Sequence, residues 1–165
     1  MTDRVDFSDE EWERLGRAPL VAGLAITLAD PGGPFETLKE SRAVLNTLVS
    51  TARDGGYGDF VQSLARDVVA KTQRRENPLA GFGANRSGAL DAILDELRGV
   101  HSLLVEKAEP DDVEDYIEWM RVASQQAALA AKEGGFLGIG GKLVSDREQQ
   151  MLERLGEIFG VPPSS

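Results

Sequence analysis

Two segments near opposite ends of the chain share one arrangement. In each, an alanine-rich apolar helix runs into a carboxylate and a double glycine, and a second helix with an early glutamate follows. The first copy covers residues 18–40 and the second covers residues 120–148. At an offset of 102 residues the glycine pairs align, and three pairs of small residues align with them: Ala22 with Ser124, Ala25 with Ala127 and Ala29 with Ala131. Such repetition indicates one architecture built from two related halves.

Length and composition bound the class of protein. At 165 residues the chain fits one domain, which on folding removes roughly two-thirds of its unfolded surface from water. Hydrophobic residues make up 41% of the sequence and charged residues 28%, as in globular rather than disordered proteins. The net charge of -10 argues against nucleic-acid binding, because Lys and Arg supply the affinity for phosphates.

The sequence also indicates a compartment. It contains no cysteine, which excludes disulfides, thiolate zinc sites and cysteine nucleophiles and fits a reducing environment. Residues 1–9 are acidic and polar, so we expect no secretory signal there. The longest apolar run, residues 18–29, is shorter than the ~20 residues that a membrane-spanning helix needs. We therefore expect a cytoplasmic protein without a membrane span.

Local signals at the N-terminus predict a short first helix. Ser8 and Glu11 fit a capping box, and Phe7 fits a hydrophobic staple against Trp12. Because glycine and proline disfavour helix interiors, we expect this helix to end before a new one starts at residue 18.

The second predicted helix covers residues 18–29 and is apolar nearly all round, which places it at the centre of the fold. Gly16 and Pro19 mark the interruption before it, with Pro19 acceptable in its first turn. Two prolines and two glycines at residues 31–34 end it abruptly.

Further helices are predicted from apolar stripes of about 3.6-residue period. They cover residues 35–52, 59–74, 87–107 and 110–132, and a last helix follows a capping box of Ser145 and Glu148. Residues 54–56 form a turn, residues 76–86 form a loop, and Ser87 caps the helix after it. The core face of the last helix is predicted to consist of Met151, Leu152, Leu155, Ile158 and Phe159. Gly160 ends that helix.

No segment shows the two-residue period of a strand. The expected fold is all-α, a compact bundle of about six to seven helices with a pseudo-duplicated helical hairpin. We expect a single domain over residues 1–165, with an N-terminal helix at 1–17, a core at 18–160 and a tail at 161–165.

Acidic residues around the two glycine breaks are the best candidates for a site. Calcium and magnesium prefer such oxygen ligands, and folding of the loops brings these carboxylates near one another. The alternative is that carboxylates at helix starts only cap free N–H groups and complement the helix dipole. The candidate metal ligands are Asp30, Glu36 and Glu40 at the first break and Glu133 and Glu148, beside Asp146, at the second.

The glycine-rich connection at residues 134–144 contains a second candidate site. Phe136, Leu137 and Ile139 are large apolar residues that either fold back over the core or form an exposed patch for a partner or for self-association. The same connection lacks the residues of a phosphate-binding loop, since Phe136 and Leu143 stand where glycine and a hydroxyl residue are required.

Enzymatic alternatives find little support in the sequence. A di-iron bundle needs Glu-x-x-His on two helices, but the only histidine is His101 and Arg98 lies three residues before it. A catalytic histidine would also need a nucleophile partner, and none is identifiable. A pocket acting through two carboxylates needs a pair with separated pKa values, which the sequence does not single out.

The paired organisation resembles the TerB-like family, which is associated with tellurite resistance. The likeness lies in residues 22–30 followed by glycine and Glu40, and in residues 122–134 followed by Ser145, Glu148 and residues 155–160. It covers most of residues 19–160, with a poorly matched middle. The chain departs from the family pattern in Pro31, in Glu133 where the family has Asp, and in an insertion at residues 136–144.

The resemblance implies a compact all-helical fold with an internal duplication, a role in stress or metal-oxyanion resistance, and metal binding through acidic residues at the breaks. We therefore expect a non-enzymatic binding or scaffold protein with calcium or magnesium near Asp30. The main alternative is a structural or oligomerising protein that binds a protein partner through its glycine-rich apolar loops.

Overall fold

The chain folds into a helical bundle. The computed structural model describes residues 1–29, 34–83, 88–133 and 145–161, with side chains for all of these except 34–41 and 131–133. Over these ranges a 3-10 turn and six α-helices are present and no strand occurs. After the turn Arg4–Asp6, the helices are α1 Asp9–Ala29, α2 Pro34–Asp54, α3 Asp59–Gln73, α4 Ala89–Lys107, α5 Pro110–Glu133 and α6 Asp146–Ile158. The predicted all-α class is confirmed.

The predicted start of the first helix is confirmed in detail. The Ser8 backbone N–H donates to Glu11 Oε2 at 2.8 Å, and the Glu11 N–H donates to Ser8 Oγ at 3.2 Å. The rings of Phe7 and Trp12 pack with centroids 6.0 Å apart. This box and staple together satisfy free N–H groups and fix the direction in which the chain enters α1.

The predicted interruption of this helix is wrong, because α1 continues through Gly16 and Pro19 to Ala29. The expected boundary between residues 17 and 18 therefore lies inside one helix. A proline has no N–H for the carbonyl four residues earlier, here that of Leu15. The buried hydroxyl of Tyr116 donates to this carbonyl oxygen at 2.7 Å. A residue from α5 thus replaces the hydrogen bond that Pro19 removes, and the helix does not need to end.

Helix α1 occupies the centre of the bundle and contacts each of the other five helices. Helix α5 packs along it and against α2. Equivalent positions of the two sequence copies are buried alike, since Ala22, Ala25 and Ala127 are fully buried and Ser124 is 4% exposed. The two hairpins α1–α2 and α5–α6 therefore pair through the small residues of their first helices and enclose a common interior.

Aromatic rings join the N-terminus to α3 and α5. Phe60 stacks on Phe7 at 5.7 Å and meets the edge of Trp12 at 5.9 Å. Tyr116 continues the cluster, 6.3 Å from Phe60 and 5.6 Å from Trp119. Pairs in these geometries each add roughly 0.5–1.5 kcal/mol beyond the area that they bury.

A charged network joins α1 to α4. Glu96 accepts from Arg14 Nε and Nη2 and from Arg17 Nη2, each at 3.1 Å. Arg17, which is 8% exposed, also donates to the carbonyl of Ala80 at 2.9 Å. Burial opposes ionisation of Glu96, but the hydrogen bonds from Arg14 and Arg17 outweigh it and lower the pKa of this carboxyl group. The network therefore fixes the loop after α3 against the centre of the bundle.

The remaining helix ends follow the sequence signals with one exception. Gly55 and Gly56 have φ of 74° and 95° and form the predicted turn after α2. Gly160, with φ of 72°, follows the end of α6 as predicted. The N-cap of α4 is Gly88 rather than Ser87, which lies outside the described residues. Gly88 adopts a left-handed conformation that a serine would rarely adopt.

Candidate functional site

Four of the five predicted metal ligands lie outside the part of the chain whose side chains are described. Asp30 falls between α1 and α2, while Glu36, Glu40 and Glu133 lie on helices whose side chains there are not described. Among the described residues, no group of three or more His, Cys, Asp or Glu side chains is placed to hold a metal ion. The proposed cation site at the first break stays a prediction.

The fifth predicted ligand, Glu148, is described and caps a helix. Its Oε2 accepts from the Ser145 N–H at 2.8 Å, and its own N–H donates to Ser145 Oγ at 3.2 Å. The residue is 5% exposed. The predicted capping box is thus confirmed, and Glu148 uses a carboxylate oxygen to begin α6.

The predicted partner-binding residues Phe136, Leu137 and Ile139 lie outside the described residues. The choice between a lid over the core and an exposed patch therefore stays open.

A groove lies between α5 and α6 in the described part of the structure. Its volume is about 110 Å³. A cavity that binds benzene measures roughly 150 Å³, so this groove has room for no more than one compact group. Its apolar lining comes from both helices and the residues after α6: Ile117, Met120, Leu152, Leu155, Gly156, Phe159 and Val161. The groove therefore offers an apolar floor to a compact group.

Helical periodicity places the groove residues on facing sides of the two helices. On α5, Ile117, Arg121 and Ser124 recur at spacings of four and three residues, and on α6 Gln149, Leu152 and Gly156 do the same at three and four. Residues three and four apart share one face of a helix. Ser124 directs its hydroxyl to the Met120 carbonyl at 2.8 Å, so its polar group is satisfied by its own helix.

Polar side chains form the rim of the groove on both sides. On α5, Arg121 Nε and Nη2 donate to the two carboxylate oxygens of Glu118 at 2.7 and 2.5 Å, and Nη1 donates to Gln125 Oε1 at 2.9 Å. The hydrogen bonds from Arg121 lower the pKa of Glu118. On α6, Glu153 Oε1 accepts from Gln149 Nε2 at 3.3 Å. The two walls thus differ in how fully their charges are paired.

The sequence prediction missed this site. It assigned Leu152 to the core, but Leu152 is half-buried and lines the groove. Gly156 was not singled out, although a glycine in the interior of a short helix is a signal of close packing or of an open space beside it. A groove depends on the distance between two helices, and the sequence of either helix alone does not contain that distance.

Other side chains capable of chemistry have structural roles. His101 meets the ring of Phe159 edge-on at 5.6 Å, as expected of a partly buried helix residue. The hydroxyl of Tyr116 donates a hydrogen bond to the Leu15 carbonyl, and burial raises the pKa of this phenol well above its usual value. Glu96 is held by two arginines. The polar atoms of Tyr116 and Glu96, which a catalytic role would need, are thus occupied by hydrogen bonds that stabilise the fold.

Comparisons with protein-family models, with curated proteins and with solved structures gave no match. The resemblance to the TerB-like family thus stays a prediction from the sequence. None of the helices in the described ranges contains an apolar stretch that could span a lipid bilayer.

Proposed function

We propose that this protein is a non-enzymatic, TerB-like helical binding module of the cytoplasm that acts in a stress or metal-oxyanion response. The groove between α5 and α6 is the observation on which the proposal depends. It combines an apolar floor with polar side chains on both walls, the composition typical of small-ligand sites. The resemblance stated above supports the class of response, and the cysteine-free composition supports the compartment.

The occupant is a small molecule that inserts one compact apolar group. A volume of about 110 Å³ leaves room for no more than one compact group, such as a single ring or a branched chain. A partner helix that docks in a groove instead inserts several anchors along its length, at spacings of three, four and seven residues. The size of the groove therefore favours a small ligand over a docked helix.

Structural roles of the reactive side chains support binding rather than catalysis. Glu96, Tyr116 and Glu148 are each held by hydrogen bonds that stabilise the fold. None of the three lines the groove. The groove residues that carry polar groups are amides, one serine and one arginine paired with Glu118, together with Glu153. This set is suited to orienting a ligand.

A titration with benzyl alcohol, followed by proton–nitrogen NMR of the backbone amides, tests the proposal. We expect saturable shifts confined to residues of the groove, such as Met120, Ser124 and Gly156, with affinity in the millimolar range. In Gly156→Met the longer side chain fills the space, and the shifts should disappear.

The control for this titration is Glu157→Gln, on the same helix and outside the groove lining, which should bind as the unaltered protein does. Shifts scattered over the whole surface, or equal shifts in Gly156→Met, would refute a site in the groove.

A further inference from the structure

The charges on the two walls of the groove are unequally satisfied. Arg121 is the positive residue of the lining and Glu153 is the negative one. The guanidinium of Arg121 donates three hydrogen bonds, two to the carboxylate of Glu118 and one to the side-chain oxygen of Gln125. A guanidinium whose charge is already paired with both oxygens of a carboxylate attracts a further anion more weakly than an unpaired guanidinium does.

Glu153 is in the opposite situation. Within the described residues, its carboxylate accepts a 3.3 Å hydrogen bond from the neutral amide of Gln149. A carboxylate has roughly four acceptor positions on its two oxygens. Arg147 and Arg154, the arginines of α6, do not line the groove. Glu153 therefore presents an incompletely paired negative charge beside the apolar floor.

The net charge of the chain also favours a cationic ligand over an anionic one. The chain carries a net charge of -10, which repels anionic ligands and attracts cations. Ligands with a negative group would approach a rim whose one positive charge is already neutralised by Glu118. The amide oxygen of Gln149 adds a further acceptor near Glu153, since its nitrogen is the atom that donates to that carboxylate.

We infer that the groove between α5 and α6 binds a small organic cation, an amine whose compact apolar group enters the floor while its ammonium group meets Glu153. The inference rests on the proposed binding function of the same groove and names its ligand class. The ammonium group donates to the carboxylate oxygens of Glu153 and to the amide oxygen of Gln149. The ring or branched chain of the ligand contacts Leu152, Phe159 and Met120.

Three probes of similar shape test the ligand class: benzylamine as cation, benzyl alcohol as neutral ligand and benzoate as anion. Their dissociation constants are measured at pH 7 and low ionic strength from the amide shifts of the groove residues. We expect benzylamine to bind about two- to fivefold more tightly than benzyl alcohol, the range of an exposed ion pair. Benzoate should bind most weakly.

The variant Glu153→Gln keeps the shape of the side chain and removes its charge, so the preference for benzylamine should fall to about onefold. The matched variant Glu157→Gln removes one negative charge from the same helix outside the groove, and it should retain the preference. Added salt should reduce the preference in the unaltered protein, because the ion pair is exposed to solvent.

The outcomes separate the two proposals. Equal affinity for benzylamine and benzyl alcohol in the groove, or tighter binding of benzoate, overturns the inference and leaves the binding function intact. A preference that persists in Glu153→Gln also overturns it. Absence of groove shifts with all three probes overturns both.

Discussion

The two hairpins use equivalent positions of their first helices in opposite ways. The offset of 102 residues pairs Pro19 with Arg121 and Gly23 with Gln125. Pro19 and Gly23 are buried, and a Cβ atom on Gly23 would lie 3.1 Å from Val44 of α2. Arg121 and Gln125 are exposed and form the rim of the groove. Small residues let α2 close onto α1, whereas long polar residues occupy the same face of α5.

The second helices of the hairpins differ as well. Helix α2 has 21 residues and α6 has 13, although each contacts both α1 and α5. A duplicated packing plan thus yields close helix contact at Gly23 in one copy and an open groove beside Arg121 in the other.

The test with the largest expected effect places glutamine, the residue at position 125 of α5, at the equivalent position 23 of α1. We expect Gly23→Gln to destabilise the protein by about 3 kcal/mol or more, because its side chain has no space beside Val44 and Ala127. Urea denaturation followed by circular dichroism measures the change. As control, Gln125→Ala at the equivalent exposed position should change stability by less than ~0.5 kcal/mol. Similar costs at both positions would contradict the comparison.

The next test concerns another face of the two first helices, where the offset pairs Arg14 with Tyr116 and Arg17 with Trp119. Glu96→Gln removes the carboxylate that both arginines share and should cost about 2 kcal/mol. The neighbouring exposed pair of Asp95 and Arg98 supplies the control. Asp95→Asn should change stability by less than ~0.5 kcal/mol.

The same variant makes a prediction about pH. Because the pKa of Glu96 is lowered in the folded protein, its stabilisation is present above the unfolded pKa of about 4.3. That contribution is lost as pH falls through the lower, folded pKa. Denaturation measured between pH 7 and pH 3 should show a shallower decline in Glu96→Gln than in the unaltered protein. Parallel declines in the two proteins would argue against an ionised, paired Glu96.

A smaller effect is expected where α5 compensates for the proline of α1. Tyr116→Phe should cost about 1–2 kcal/mol, because the buried Leu15 carbonyl loses its donor. In the background of Pro19→Ala, the new N–H can bond to that carbonyl, so the same change should cost roughly half as much. A double-mutant cycle measured in urea tests this coupling. Identical costs in both backgrounds would show that the hydroxyl does not act through Pro19.

The smallest effect is a stabilisation within the groove. A Cβ atom on Gly156 would lie 3.6 Å from the Val161 carbonyl, an ordinary contact. Gly156→Ala should therefore raise stability by about 0.5–1 kcal/mol through helix propensity. Gly99→Ala on α4 is the contrast and should lower stability, because its Cβ would clash with Arg14 Nη2. A melting temperature that falls in Gly156→Ala would show that the groove is closed to even one methyl group.

Much of the fold follows from local sequence patterns. Caps such as Ser8 with Glu11 and Ser145 with Glu148 depend only on residues three apart, and the structure contains both. The apolar stripes of α3 and α4 likewise repeat within each helix, so Leu64 and Leu97 are buried as predicted. Ala25 and Ala127, which the repeat aligns, are both fully buried.

Tertiary contacts decided the rest. From the sequence, Pro19 predicts a helix break. In the structure Tyr116, 97 positions further along the chain, donates to the Leu15 carbonyl, and the helix continues. The apolar pattern of α6 predicts that Leu152 is a core residue, but the separation of α5 and α6 places it at the wall of a groove. Helix periodicity and capping are local, so the sequence alone determined them. Donor replacement and helix spacing act between distant segments, and only the folded chain brings those segments together.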